Sequence, residues 1–155
     1  MRRVSLIPLA CVLIMASFAI TAFAADLLSG TWKLNPGKST VNGGPIPPAV
    51  MITETIKKVS NGITVASDST TPAGEKVRGE FTVKFDGKNY KAGDQMVSAS
   101  RTDDVTLVLK FMADGKVSSL VKDVVSKDGK TRTSTETFTN PSGQTVTRIL
   151  VYEKQ

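Results

Sequence analysis

The chain has 155 residues, with 20 Lys and Arg against 14 Asp and Glu, a formal net charge of +6, no histidine and a single cysteine. Without histidine it lacks the commonest general base and the commonest zinc or copper ligand, and one cysteine cannot form an internal disulfide or a thiolate metal cluster. An enzyme built from it would have to use Asp, Glu, Lys or Tyr alone, and no pattern marks such a site. The expected protein is therefore not an enzyme and binds no metal or cofactor. Its lysines are spread over turns and strand exteriors, which suits a solvated surface and gives no footprint for nucleic acid.

Met1-Arg2-Arg3 opens the chain, an apolar run extends from Val4 to Phe23, and Ala22-Phe23-Ala24 closes it with a small-x-small site. This is the pattern of a signal peptide over residues 1–24, cleaved before Ala25 or one residue later at Asp26. Pro8 and the small-residue end argue against a spanning anchor. Arg2-Arg3 lacks the rest of a twin-arginine signal, and the apolar run continues well past Cys11, unlike a lipid-anchored chain; ordinary secretion is expected. The product would be periplasmic or secreted, with no thiol, no membrane span, and 18 basic against 14 acidic side chains.

Residues 25–155 read as one domain. Ser60-Asn61-Gly62, Asp86-Gly87, Thr102-Asp103-Asp104, Asp114-Gly115, Asp128-Gly129 and Asn140-Pro141-Ser142-Gly143 each suit a tight reversal. Between them lie Val-, Ile-, Thr- and Phe-rich segments of period two: Val77, Phe81, Val83 and Phe85 alternate with Arg78, Glu80, Thr82 and Lys84. The expected strands are 30–34, 50–58, 63–69, 77–85, 96–101, 105–112, 117–125, 131–139 and 145–153, with a short piece at 89–91. The last four, joined by a few residues each, should pair in chain order. Such a meander predicts an all-β fold, an antiparallel up-and-down barrel of about 8–10 strands.

One connection differs. Asn35–Ala49 contains Asn42-Gly43-Gly44-Pro45-Ile46-Pro47-Pro48 and is expected to be a long irregular loop, either a lid over one mouth or a proline-stiffened connector. Gly37-Lys38-Ser39 is no phosphate loop, because Trp32 stands where that motif needs glycine. The Asp-Gly-Lys turns at 86, 114 and 128 carry too few oxygen ligands for calcium. The threonine row at 131, 133, 135, 137 and 139 is expected on a solvated face.

Gly30-Thr31-Trp32-Lys33-Leu34 at one end and Val151-Tyr152-Glu153-Lys154 at the other resemble the lipocalin and fatty-acid-binding-protein group of barrels. Gly30-Thr31-Trp32-Lys33-Leu34-Asn35-Pro36, Ser126-Lys127-Asp128-Gly129-Lys130 and the Val151–Gln155 tail are similar to small exported bacterial lipocalin-like proteins of unassigned function. The resemblance implies a lipocalin-like barrel whose floor is closed by Gly30 and Trp32, with a late basic residue packed on the tryptophan. In fatty-acid-binding proteins the last strand reads Arg-x-Tyr-Glu-Lys, whereas here three residues separate Arg148 from Tyr152. The two still share a strand face but stand about 13 Å apart along it. The proline-rich connection also replaces the two-helix lid of those proteins.

The resemblance implies a binder or carrier of a lipid or other apolar small molecule in the cell envelope, with Arg148, Tyr152, Phe81 and Phe111 as candidate ligand residues. The alternative is a non-catalytic structural or interaction module with a packed core, since a small barrel interior can be filled by side chains or hold one ligand. Val146, Arg148, Leu150 and Tyr152 share one face of the last strand and Thr147, Ile149, Val151 and Glu153 the other, and parity alone does not say which points inward. An inward Arg148 needs a partner: a ligand carboxylate, Glu136, or the ring of Trp32, the last favoured by the resemblance. An outward Arg148 is an ordinary surface residue.

Overall fold

The computed structural model describes residues 26–155; the expected signal peptide, with Cys11 and the cleavage point, lies outside the described residues. Twelve strands follow: β1 Gly30–Leu34, β2 Thr40–Val41, β3 Gly44–Pro45, β4 Met51–Val59, β5 Gly62–Thr70, β6 Lys76–Lys84, β7 Tyr90–Ala92, β8 Gln95–Arg101, β9 Thr106–Ala113, β10 Lys116–Val125, β11 Thr131–Thr139 and β12 Thr145–Lys154. Ten of them form one antiparallel path, β6-β5-β4-β1-β12-β11-β10-β9-β8-β7, whose end strands β6 and β7 lie side by side without a ladder between them. The result is the expected all-β up-and-down barrel, nearly closed. β1 joins its two meanders by pairing Trp32 with Glu54 on one side and with Lys154 on the other.

Turn chemistry sets the reversals. Asn61 at φ 52° closes the Ser60–Asn61 turn between β4 and β5, and Asp114 and Gly115 at φ 51° and 73° form the β9–β10 turn. Both central residues of that two-residue hairpin loop need positive φ, which Asp-Gly tolerates. A register shift between Val117 and Ser119 then bends β10 near the same end.

The connection between β1 and β4 corrects the expectation of an irregular loop. After a 3-10 turn over Pro36–Lys38, β2 and β3 make a two-stranded arm whose turn is Asn42 and Gly43, at φ 48° and 79°. β2 pairs with β12 at Arg148 and Ile149, where β1 has already ended, so the arm continues the barrel wall. Asn42 ties it down by donating from its backbone N–H to Thr147 O at 2.8 Å and accepting from Thr147 N at 2.9 Å. Pro45 is tolerated because β3 is an edge strand and needs no donor on its free side. Ile46, next to it, is buried in the core.

The two ends of the barrel are built differently. At the floor, where β1 begins and β12 ends, Leu28, Trp32, Ile56, Ile63, Val83 and Leu107 are all buried. Residues 26–29 run beneath them: Leu28 has no exposed surface, and its carbonyl accepts from Trp32 Nε1 at 2.8 Å. The opposite end carries exposed Met51, Val77, Met96 and Val117 at the starts of β4, β6, β8 and β10.

Candidate functional site: the barrel interior

Alternation along β11 directs the threonines outward, as expected, and turns Arg132, Ser134, Glu136 and Phe138 inward. On β12 the inward set is Arg148, Leu150 and Tyr152, which settles the parity that the sequence leaves open. Asp123 and Val121 come from β10 and Glu54 from β4. Pairing places Arg132 opposite Tyr152, and Glu136 opposite Arg148.

Arg132 is the centre of this arrangement. Only 3% of its side chain is exposed; Nη1 donates to Asp123 Oδ2 at 2.8 Å and Nη2 to Glu54 Oε2. Its guanidinium carbon lies 4.2 Å from the centre of the Tyr152 ring and 5.7 Å from that of Trp32. Burial alone would disfavour the charge, but the two carboxylates outweigh it and hold the guanidinium above its ordinary value, so it stays protonated. For Tyr152 burial raises the phenol above its usual range, and the Glu54 carboxylate adds to the shift. The phenol therefore remains an O–H donor at any physiological pH.

Above this triad lies a cavity of about 190 Å³. One wall is apolar, from Ile56, Val65, Phe81, Leu109, Phe111 and Leu150; the other is Glu54, Asp123, Arg132, Ser134, Glu136 and Tyr152. Phe81 and Phe111 meet edge to face, centroids 5.8 Å apart at 86°, across the seam where β6 faces β8. Toward the mouth Arg148 pairs with Glu136 at 3.1 Å and covers the Phe138 ring at 4.5 Å. Asp123 Oδ1 is buried and no protein donor reaches it. Among the described residues no group of three or more His, Cys, Asp or Glu could hold a metal ion. A wider groove of about 590 Å³ lies at the mouth beside β1, β4, β5 and β6, lined by Leu34, Val50, Met51 and Ile52 among others. It lacks the converging buried polar groups of the interior, which is the better candidate site.

Three of the residues singled out from the sequence, Phe81, Phe111 and Tyr152, line one cavity, and Arg148 stands at its upper edge. Of the partners offered for Arg148, the structure realises Glu136; the tryptophan stack is corrected. The cations on Trp32 are Arg132 and Lys154, whose Nζ lies 5.0 Å from the ring centre and donates to Leu27 O at 3.1 Å. Arg148 sits too high on β12, six residues from Lys154, to reach a floor residue paired with Lys154 itself. Gly30 has its reason here: it adopts φ 140°, and a Cβ would collide with the stem of Lys154, 2.5 Å away. The residues missed were Arg132, Asp123 and Glu54. The threonine row held the signal, because a solvated odd face on β11 obliges its even face, with Arg132 and Glu136, to point inward.

No protein-family model matches the sequence, and no curated protein is significantly similar to it. Among solved structures the chain is similar to zebrafish ileal bile acid-binding protein, crystallised in complex with cholic acid. The two are 15% identical, with a TM-score of 0.51, over 83% of this chain and 99% of that one. At that identity the likeness is one of fold: a lipocalin- and fatty-acid-binding-protein-like barrel.

Proposed function

We propose that the chain is an exported binding protein of the cell envelope, holding a small, partly apolar molecule in the upper half of its barrel. The cavity of about 190 Å³ between the Phe81–Phe111 wall and the Glu54–Arg132–Asp123 cluster carries this reading. A fully structural core has little reason to line a cavity with buried ion pairs, since well-packed apolar residues serve stability as well or better. The fold likeness to a protein crystallised with cholic acid supports it, as does the leader-like sequence of residues 1–24. The volume lies below the usual ligand cleft of about 300–1,000 Å³, so the occupant is smaller than a long-chain lipid. The test is saturable displacement of an environment-sensitive apolar dye from delipidated protein, read together with Trp32 emission. Absence of saturable binding at micromolar protein, across a panel of small amphiphiles, overturns the proposal.

The small cavity also favours a second reading, a non-catalytic interaction module whose contacts are made by its surface. Exposed Met51, Val77, Met96 and Val117 would then matter more than the interior. Failure of the dye test with intact folding would select this reading.

A further inference from the structure

We infer that the molecule held in the barrel presents a protonated amine, and not a carboxylate, to the polar wall; this rests on the binding reading above. The first argument is charge. Three carboxylates, Glu54, Asp123 and Glu136, face two guanidiniums, Arg132 and Arg148, around the cavity. Both cations are already engaged, Arg132 by two carboxylates and Arg148 by one. A ligand carboxylate would find no unpaired cation and would add a fourth negative charge beside the largely buried Glu54 and Asp123, and like charges there repel. An ammonium would bring the groups around the cavity to three charges of each sign.

The second argument is hydrogen bonding. Asp123 is 2% exposed, lines the cavity, and has one oxygen, Oδ1, that no protein donor reaches. An ionised carboxylate only accepts, and a buried acceptor without a donor is costly, so the missing partner is a donor. An ammonium offers three N–H groups, enough for Asp123 Oδ1 and a neighbouring acceptor such as the Ser134 hydroxyl. The Nε atoms of Arg132 and Arg148 are also buried without an acceptor. A hydroxyl oxygen on the same ligand would answer that of Arg132, which lines the cavity, without adding negative charge. The remaining wall, with Phe81, Phe111 and Leu150, accepts the ligand's hydrocarbon body.

The experiment is calorimetric titration of the delipidated protein, at neutral pH, with octylamine, octanol and octanoate, which share a tail and differ in the head. The expected order is octylamine tightest, by at least about tenfold over octanoate, the scale of one charge-assisted hydrogen bond. Octanol or octanoate binding as tightly as the amine overturns the inference and leaves the binding reading standing. No binding of any of the three overturns both. Asp123→Asn should lower octylamine affinity about tenfold and octanol affinity by less. Glu136→Gln, nearer the mouth, gives the same sign with a smaller loss and serves where the Asp123 variant does not fold. Unaltered octylamine affinity in a folded Asp123 variant also overturns the inference.

Discussion

The floor and the upper half of this barrel share strands and differ in almost everything else. At the floor the interior is closed, with Leu28, Ile63 and Val83 buried in the core with Trp32, the Arg132 and Lys154 cations over its ring, and residues 26–29 sealing the end. A few residues further along the same strands, Glu54 stands on β4, Asp123 on β10 and Glu136 on β11, and a cavity opens between them. Adjacent inward positions thus serve two ends. The floor gains stability from packing, and the upper half gives some of it up to keep charge and space inside. That division is what a binding barrel needs, a rigid closed end that fixes the geometry of an open one.

The comparison can be broken most forcefully at Arg132. Arg132→Met leaves Glu54 and Asp123 buried without their cation, so a stability loss of about 3–5 kcal/mol is expected in urea unfolding. Replacing all three residues together by apolar or amide groups of similar size should recover most of the loss, which shows the pairs to be kept for something other than stability.

Ile63→Ala in the closed floor should cost about 3 kcal/mol, because the surrounding side chains cannot collapse into the gap. Leu150→Ala, on the cavity wall, should cost less than half as much, about 1 kcal/mol, since its side chain already lacks partners on one face. Equal losses at the two sites would mean that the upper half is as tightly packed as the floor.

Alkaline titration gives a smaller effect. Burial and the Glu54 carboxylate raise the Tyr152 phenol in the folded state above its unfolded value near 10. The unfolded chain therefore releases this proton first as pH rises. The stabilisation is complete below pH 10 and is lost progressively above it. Tyr152→Phe should flatten that limb of the stability curve and leave the neutral region little changed.

Smallest of all should be Glu153→Gln. Glu153 accepts from Lys38 Nζ and Asn35 Nδ2, both at 2.9 Å, and these contacts hold its carboxyl below the ordinary range. Their contribution is present above the unfolded carboxyl value and fades as pH falls through the lowered one. The pair is solvated, so the change at neutral pH should be within experimental scatter.

Much of the fold was legible because turn chemistry and alternation agreed at each step. β1 and β11 have the expected bounds, and the other strands of β4–β6 and β8–β12 differ from expectation by at most one residue at either end. The arm at Thr40–Pro45 was hidden by its prolines, although Asn42-Gly43 is itself a strong hairpin signal; an edge position made the prolines harmless. Within the site, Phe81, Phe111 and Tyr152 could be found as bulky residues of matching parity. Asp123 and Glu54 could not, because a buried ion triad joins three strands far apart in sequence and each charge alone looks like a surface residue, whereas Arg132 was legible only through the outward threonines that flank it. Arg148 drew attention through its place on the last strand, yet the cation on the floor tryptophan from that strand is Lys154, which Gly30 makes room for.

The most direct measurement of the central claim is a backbone amide NMR titration with octylamine, residue by residue. Shifts are expected to concentrate at Glu54, Phe81, Phe111, Asp123, Arg132 and Tyr152, saturating together, with Leu28, Ile63, Val83 and Val125 unmoved. Shifts confined to the outer surface around Met51 and Val77, or spread evenly through floor and upper half alike, would contradict it.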